Sequence, residues 1–350
     1  MKHFSGIITT WYLQNKRDLP WRNTRDAYLI WLSEIILQQT RVDQGMAYYL
    51  KFAKAFPTVG HLAKADSEKV MKLWQGLGYY SRARNLHAAA KMVNTDFKGK
   101  FPSEFNEILT LKGVGEYTAA AVASFAFGKA HAVVDGNVYR VLSRVFGIET
   151  PIDSTTGKKE FLVLANELLD KKDPGTHNQA IMEFGAMQCK PVNPDCPSCP
   201  MNSHCYAFAK KRVAELPVKA KKTKVRDRFF NYIVLKTKEE TVINKRTDKD
   251  IWTGLYDFPL LETSAEVNEP DFIDSPEWKK LIGKTRHTIL SVSPQYKHIL
   301  SHQKIYARFW EVECAGDLKK VSPVNSIIIK QKDIKKYAVP RLIENYLKGK

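Results

Sequence analysis

Four cysteines stand within seventeen residues, as Cys189-x6-Cys196-x2-Cys199-x5-Cys205. Four thiolates on a short loop rich in Pro and Asn can converge on one metal centre. A C-x2-C step also serves zinc, while the long outer spacings suit an iron–sulfur cubane better than a zinc knuckle. Spacing alone leaves both metals open. His204 adjoins the set, but four cysteines already complete it. Cys314 lies in a strand-like stretch and reads as a buried small hydrophobe.

Two acids have surroundings that would push them toward different roles. Glu34 sits inside Leu29-Ile30-Trp31-Leu32-Ser33-Glu34-Ile35-Ile36-Leu37. A carboxyl in such apolar company is desolvated, so its protonated form persists to higher pH, which suits a general acid. A surface glutamate, or a buried one paired with arginine, fits the same pattern. Asp135 follows Ala132-Val133-Val134 and precedes Gly136-Asn137-Val138 at a helix start. Asp is a favoured N-cap there. As an ionised carboxylate it could instead stabilise positive charge on a sugar, and a neutral and a charged carboxyl together are what glycosidic cleavage needs.

Leu111-Lys112-Gly113-Val114-Gly115 joins two helical segments. Its glycines permit a tight turn that leaves the next helix's first amides pointing outward, where they would hold a phosphate, directly or through a bridging monovalent cation. An ordinary helix–turn–helix connection has the same pattern.

These groups need a scaffold, and periodicity supplies one. Helical patterns run through 4–15, 26–39, 44–55, 67–73, 81–93, 104–110, 116–127, 136–146, 157–169 and 176–187. Nine Lys/Arg against two acids mark 210–228 as a basic linker. Beyond it, 229–236, 240–245 and 305–312 read as strands of a second, mixed α/β domain. The 350-residue length accommodates two domains, and 44% hydrophobic with 26% charged residues excludes wholesale disorder. Fifty-five basic against 37 acidic residues give a formal charge of +18, which points first to nucleic acid. The longest apolar run, Ala119 to Phe127, is too short to span a membrane, and Lys2 is not followed by a signal-peptide core. A reducing cytoplasm is the expected compartment.

Together the motifs resemble the adenine DNA glycosylase (MutY) family of the helix-hairpin-helix glycosylase superfamily. The resemblance is carried by Leu19-Pro20-Trp21-Arg22, Trp31 to Thr40, Gly76-Leu77-Gly78-Tyr79-Tyr80-Ser81-Arg82, Gly113-Val114-Gly115, Val134-Asp135-Gly136-Asn137 and the four-cysteine loop. It implies an all-α helix-hairpin-helix catalytic domain (1–209) with a 4Fe–4S cluster loop (189–205), the basic linker (210–228), and an α/β Nudix-like lesion-recognition domain (229–350). The implied activity is base excision repair: removal of adenine mispaired with 8-oxoguanine, or with guanine, from double-stranded DNA. The implied setting is a monomer in the bacterial cytoplasm, held to the nucleoid by DNA and not by a membrane.

By the same resemblance, Glu34 protonates the flipped adenine, and Asp135 stabilises the oxocarbenium-like sugar or forms a transient adduct with it. Tyr117 and Asn137 support Asp135 and the attacking water. Arg17, Leu19, Trp21, Arg22 and Gln179 match adenine-pocket positions. Gln39 and Tyr79 wedge into the stack beside the lesion, with Leu77 and Thr40 nearby. Cys189, Cys196, Cys199 and Cys205 hold the cluster, and Gly113, Val114 and Gly115 grip phosphate. Ser301 and His302 hydrogen-bond the 8-oxoguanine edge.

Some positions depart from the family pattern. Lys112 and Ala27 replace prolines, and Leu300 precedes Ser301-His302 where phenylalanine is usual. The second domain lacks the Arg-Glu and paired glutamates that would hold magnesium for pyrophosphate hydrolysis, so it reads a base. In related endonuclease III-like enzymes, which act on oxidised pyrimidines and cleave the strand, a lysine stands two residues past the hairpin. Here that residue is Tyr117. A phenol forms no Schiff base, so a monofunctional enzyme is expected over that lyase alternative. Glu34 and Asp135 together weigh against a protein that only marks lesions.

Overall fold

The computed structural model describes residues 2–220 and 225–349, so 221–224 of the basic segment lie outside the described residues. The chain forms two compact units, one of residues 1–64 with 85–221 and one of 65–84 with 222–350.

Helices in chain order are α1 (Lys2–Asn15), α2 (Ala27–Leu37), α3 (Val42–Ala55), α4 (Val59–Ala63), α5 (Ser67–Trp74), α6 (Ser81–Asp96), α7 (Phe105–Thr110), α8 (Glu116–Phe127), α9 (Gly136–Phe146), α10 (Thr155–Leu168), α11 (Pro174–Met187) and α12 (Tyr206–Ala209). Side-chain caps explain several starts. Asp26, Asp66, Asp135, Ser154 and Asp173 each accept backbone N–H bonds in the first turn of the helix that follows. Gly128 and Gly147 close α8 and α9 in the left-handed conformation at φ 65° and 71°. The short α4, capped by the Thr58 side chain, has too few residues to show a period.

The first unit's core gathers the apolar stripes of α1, α8, α9, α10 and α11, with Ile8, Ala121, Val138, Val141, Leu142, Phe161 and Phe184 nearly inaccessible. Cys189, Cys199 and Cys205 pack against this core. The segment expected to be a linker is partly integrated here. Leu216 is buried, Arg144 Nε donates to its carbonyl at 3.0 Å, and Ile152 N–H bonds to Val218 O at 3.1 Å. Counting charges hid one apolar anchor and a run of backbone partners.

In the second unit β1 (Arg226–Lys236) forms a hairpin with β2 (Glu240–Lys245), followed by β3 (Tyr256–Asp257) and β4 (Leu260–Thr263). Next come α13 (Glu269–Ile273), α14 (Pro276–Ile282), β5 (His287–Val292), β6 (Tyr296–Ile299), β7 (Gln303–Cys314), β8 (Ser326–Lys330) and α15 (Arg341–Lys348). β1 and β7 run parallel over their length, from Arg226↔Gln303 to Lys236↔Glu313. The other pairings are antiparallel among the described residues. Ile233, Leu235, Trp310 and Val312 meet Phe272 and Trp278 of α13 and α14. Tyr346 of α15 stacks on Phe309 with ring centroids 3.8 Å apart. β1 begins at Arg226, inside the expected linker. Cys314 ends β7 and is buried.

Residues 65–84 cluster with the second unit, although the sequence boundary puts them in the helical domain. Glu68 and Lys72 of α5 have their partners on 245, 256 and 337, which no local pattern discloses.

Candidate active site

Helix α2 is apolar on nearly every face, so it is buried all round and carries Glu34 inward with it. Glu34 is 8% exposed. Tyr117, in the first turn of α8, donates its hydroxyl to Glu34 Oε2 at 2.8 Å and also meets Met182 Sδ at 3.3 Å. Burial pushes Glu34 up to about 7; the Tyr117 bond opposes this, the Asp135 charge adds to it, and Arg22 opposes it. Tyr117 is itself driven upward by burial and by both carboxyls, so its phenol keeps its proton.

Asp135 caps α9. Its Oδ1 accepts the N–H groups of Asn137 and Val138, each at 2.8 Å, and its Oδ2 accepts from Asn137 Nδ2 at 2.9 Å. Burial raises its pKa, while these bonds and Arg140 favour the charged form. Arg140 carries the constraint further. Its Nη2 donates to Asn137 Oδ1 at 2.8 Å and Gly185 O at 2.6 Å, and its Nε to Cys189 O at 2.7 Å. The capping carboxyl is thus tied through one guanidinium to the cysteine loop.

Arg17 and Arg22 converge on Glu183, which is almost wholly buried on α11. Arg17 reaches it at 2.8 and 2.6 Å, and Arg22 at 3.0 and 2.8 Å. Burial alone would raise Glu183, but the two guanidiniums hold it at about 2. Gln179, one turn earlier, accepts from Arg22 Nε at 3.1 Å. Leu19 and Trp21 are buried beside them, with Trp21 edge-on to Tyr49. Glu34 with Tyr117, Asp135 with Asn137, and Arg17 and Arg22 with Gln179 and Glu183 thus form three hydrogen-bonded groups in the first unit, and the charges of Asp135 and Arg22 both act on Glu34. Sequence reasoning missed Glu183, Met182 and Arg140. Glu183 lies between Ile181 and Phe184, repeating the signal of an acid in apolar company that marked Glu34.

The 111–115 turn links α7 to α8 with Gly113 at φ 77°, where a Cβ would strike Asn85. Gly115 caps α8 without a side-chain bond, and Lys112 is exposed beside it. Gln39 is exposed at φ 53°, and Thr40 Oγ1 donates to Gln38 O at 3.2 Å.

In the second unit a cavity of about 320 Å³ collects Leu77, Tyr79, Ser301 and His302. Arg84, Asp250, Trp252 and Ile299 line it as well, and none of these four was among the site residues expected from sequence. Ser301 Oγ and His302 Nδ1 lie 3.2 Å apart, and both residues are exposed. Leu300 lines the cavity beside them.

The four clustered cysteines are free and half-buried. Tight turns order the loop between them, including Cys199 N–H to Cys196 O at 3.2 Å and Cys205 N–H to Asn202 O at 3.3 Å. Burial, with the neighbouring cysteines adding to it and a backbone hydrogen bond from Met201 opposing it, pushes the Cys199 thiol up to about 11. Arg144 Nη1 lies 3.5 Å from Cys189 Sγ, and the guanidinium also holds Lys190 O and Pro191 O. Such thiols ionise when a metal compensates their charge. No three His, Cys, Asp or Glu side chains among the described residues close around a point that would hold a single ion. Four thiols on one loop, each acting on the others' ionisation, supply the donor set of a metal centre.

Residues 32–166 match the HhH-GPD superfamily base excision DNA repair protein family, and residues 231–349 match the NUDIX domain. An adenine DNA glycosylase of Buchnera aphidicola subsp. Schizaphis graminum is 32% identical over 304 residues, covering 85% of each chain. This chain belongs to the adenine DNA glycosylase family. The adenine DNA glycosylase of Homo sapiens is 46% identical over 213 residues, 58% of this chain and 39% of that one. A thermostable thymine-DNA glycosylase superposes with TM-score 0.56 at 34% identity, covering 60% of this chain and 96% of that structure. As a member of the family, the protein is a base excision repair hydrolase acting on the N-glycosidic bond of adenine in DNA. No helix among the described residues is long and apolar enough to cross a membrane.

Proposed function

We propose that the enzyme excises adenine opposite 8-oxoguanine, and opposite guanine, from duplex DNA as a monofunctional hydrolase that leaves an abasic site. The observation that carries this reading is the pairing of Glu34, whose proton is retained to about pH 7, with Asp135, which burial raises as well but which three hydrogen bonds hold toward its charged form. A flipped adenine reaching this network meets a neutral acid that protonates the base and makes it a better leaving group. Asp135 then faces the positive charge that develops on the sugar, as stabiliser or as transient nucleophile. Asn137 and Tyr117 hold the two acids and orient the attacking water. Arg17, Arg22 and Gln179, with Leu19 and Trp21, shape the adenine pocket. Tyr117 offers no amine, so the sugar is left without a Schiff base and the strand intact.

Gln39 and Tyr79 wedge into the stack beside the lesion, with Leu77 and Thr40 nearby, and Ser301 with His302 reads the oxidised base. Support comes from the cavity that joins Leu77 and Tyr79 to Ser301 and His302, which has room for a purine. The Gly113-Val114-Gly115 amides take a DNA phosphate, with a monovalent cation as bridge. Cys189, Cys196, Cys199 and Cys205 hold a 4Fe–4S cluster. When bound, the cluster supplies covalent crosslinks that brace the loop; the excision transfers no electrons. Arg140 and Arg144 fix that loop from the protein side.

Incubation with duplex carrying A opposite 8-oxoguanine, followed by division with and without hot alkali, tests the reading. A break that requires alkali supports it. A break without alkali indicates a lyase, and no break at all indicates a binder. Bound iron with broad visible absorbance supports the cluster; zinc in its place overturns it.

A further inference from the structure

The loop bearing Tyr79 is held stiffly. Gly76, Gly78 and Tyr79 all adopt positive φ, at 93°, 78° and 46°. Trp74 Nε1 donates to Gly78 O at 3.0 Å, and the Tyr80 hydroxyl accepts the Gly76 N–H at 3.1 Å. The Arg82 guanidinium lies over both Trp74 and Tyr79. A non-glycine residue at positive φ persists only where its surroundings enforce it. Tyr79 is nonetheless 49% exposed, displayed at the rim of the cavity that Ser301 and His302 also line.

What this stiff loop is fastened to is the strand region of the second unit. Glu68 Oε1 accepts from the Tyr256 hydroxyl at 2.5 Å and from Lys245 Nζ at 3.0 Å. One turn along α5, Lys72 Nζ donates to Tyr337 O at 2.8 Å. At the other end of the loop, Arg84 donates to Thr253 O, next to Trp252 in the cavity wall. Met71 lies against Gly254 at φ 84°.

We propose that Glu68 is a positioning residue for lesion recognition, holding α5 to Tyr256 and Lys245 so that Tyr79 keeps a fixed distance from Ser301 and His302. Glu68 does not line the cavity; it acts through the loop. The spacing that distinguishes 8-oxoguanine from guanine then depends on a carboxylate in the helical segment of the chain and a phenol in the sheet. This inference rests on the reading of the cavity as the lesion site.

The test compares single-turnover excision and binding on A:8-oxoguanine and A:G duplexes for the 350-residue chain as isolated. Glu68→Ala and Tyr256→Phe each lower the ratio of the two substrates by about tenfold, the worth of roughly one net hydrogen bond to a charged group, while the A:G rate changes less. Glu68→Gln, whose carbonyl still accepts from Tyr256, restores most of the ratio. A general loss of folding would lower both substrates together and would not be rescued by Gln. Tyr256→Phe removes a single oxygen and decides the matter if Glu68→Ala does not fold. An unchanged ratio in Tyr256→Phe, or equal losses on both substrates, overturns the inference. If the wild-type enzyme itself fails to separate the two duplexes, the reading of the lesion site has failed instead.

Discussion

The Tyr117 hydroxyl donates to Glu34 Oε2 across 2.8 Å, joining the first turn of α8 to the middle of α2. The bond has an energetic direction as well as a geometric one. A donor favours the ionised carboxylate, so it works against the burial that keeps Glu34 protonated. Tyr117→Phe therefore raises the Glu34 pKa above about 7. The alkaline limb of the excision profile moves to higher pH, and a pH series on the variant reads the shift. A limb that stays in place or moves down would show that Tyr117 does not set this proton.

Glu34→Gln removes the proton and keeps the shape. Base release falls by roughly 10² to 10⁴-fold, the usual contribution of a general acid, while duplex binding is retained. Quantifying free adenine and measuring binding separately checks both halves.

The same substitution has a consequence for stability. Glu34 has a folded pKa of about 7 against an ordinary 4.5, so its burial is harmless below pH 4.5 and increasingly unfavourable as pH rises through 7. Glu34→Gln escapes that penalty. Above pH 8 the variant is more stable than wild type by up to about 3 kcal/mol, and near pH 5 the gain largely disappears. Denaturant melts at the two pH values measure it.

Glu183 has the opposite sign. Its folded pKa of about 2 means that its contribution is present above 4.5 and lost as pH falls through 2. Glu183→Gln costs about 3 kcal/mol at pH 7 and little at pH 2, because both Arg17 and Arg22 lose their shared carboxylate. A loss independent of pH would point to packing instead.

Much of this arrangement was legible because it is local. The helices declare themselves through apolar period and caps, and Asp135 is both a cap and a candidate acid by position alone. Glu34 stands out because α2 leaves it no solvent. Tertiary pairings were not legible. Arg140 reads as an ordinary charge on α9, yet it binds Asn137 and the Cys189 carbonyl. Glu68 and Lys72 read as the solvated face of a short helix until their partners, far along the chain, are known. The basic segment misled for a related reason: its charge is conspicuous, while Leu216 and its backbone bonds are not.

Arg140→Met severs the tie between the capping carboxyl and the cysteine loop. It strands Gly185 and Cys189 carbonyls as well as Asn137 Oδ1, at about 1–3 kcal/mol for each buried acceptor left unpaired. Excision slows more than binding, and the iron of the proposed cluster is lost more readily to a chelator. Iron retention equal to wild type would show that Arg140 does not brace the loop.

The pH dependence of excision at subsaturating substrate tests directly whether Glu34 acts in its protonated form, since this regime reports the free enzyme. The rate on A:8-oxoguanine should fall about tenfold per pH unit above a midpoint near 7. A rate that is flat or rising from pH 6 to about pH 9 would contradict the assignment of Glu34 as the acid.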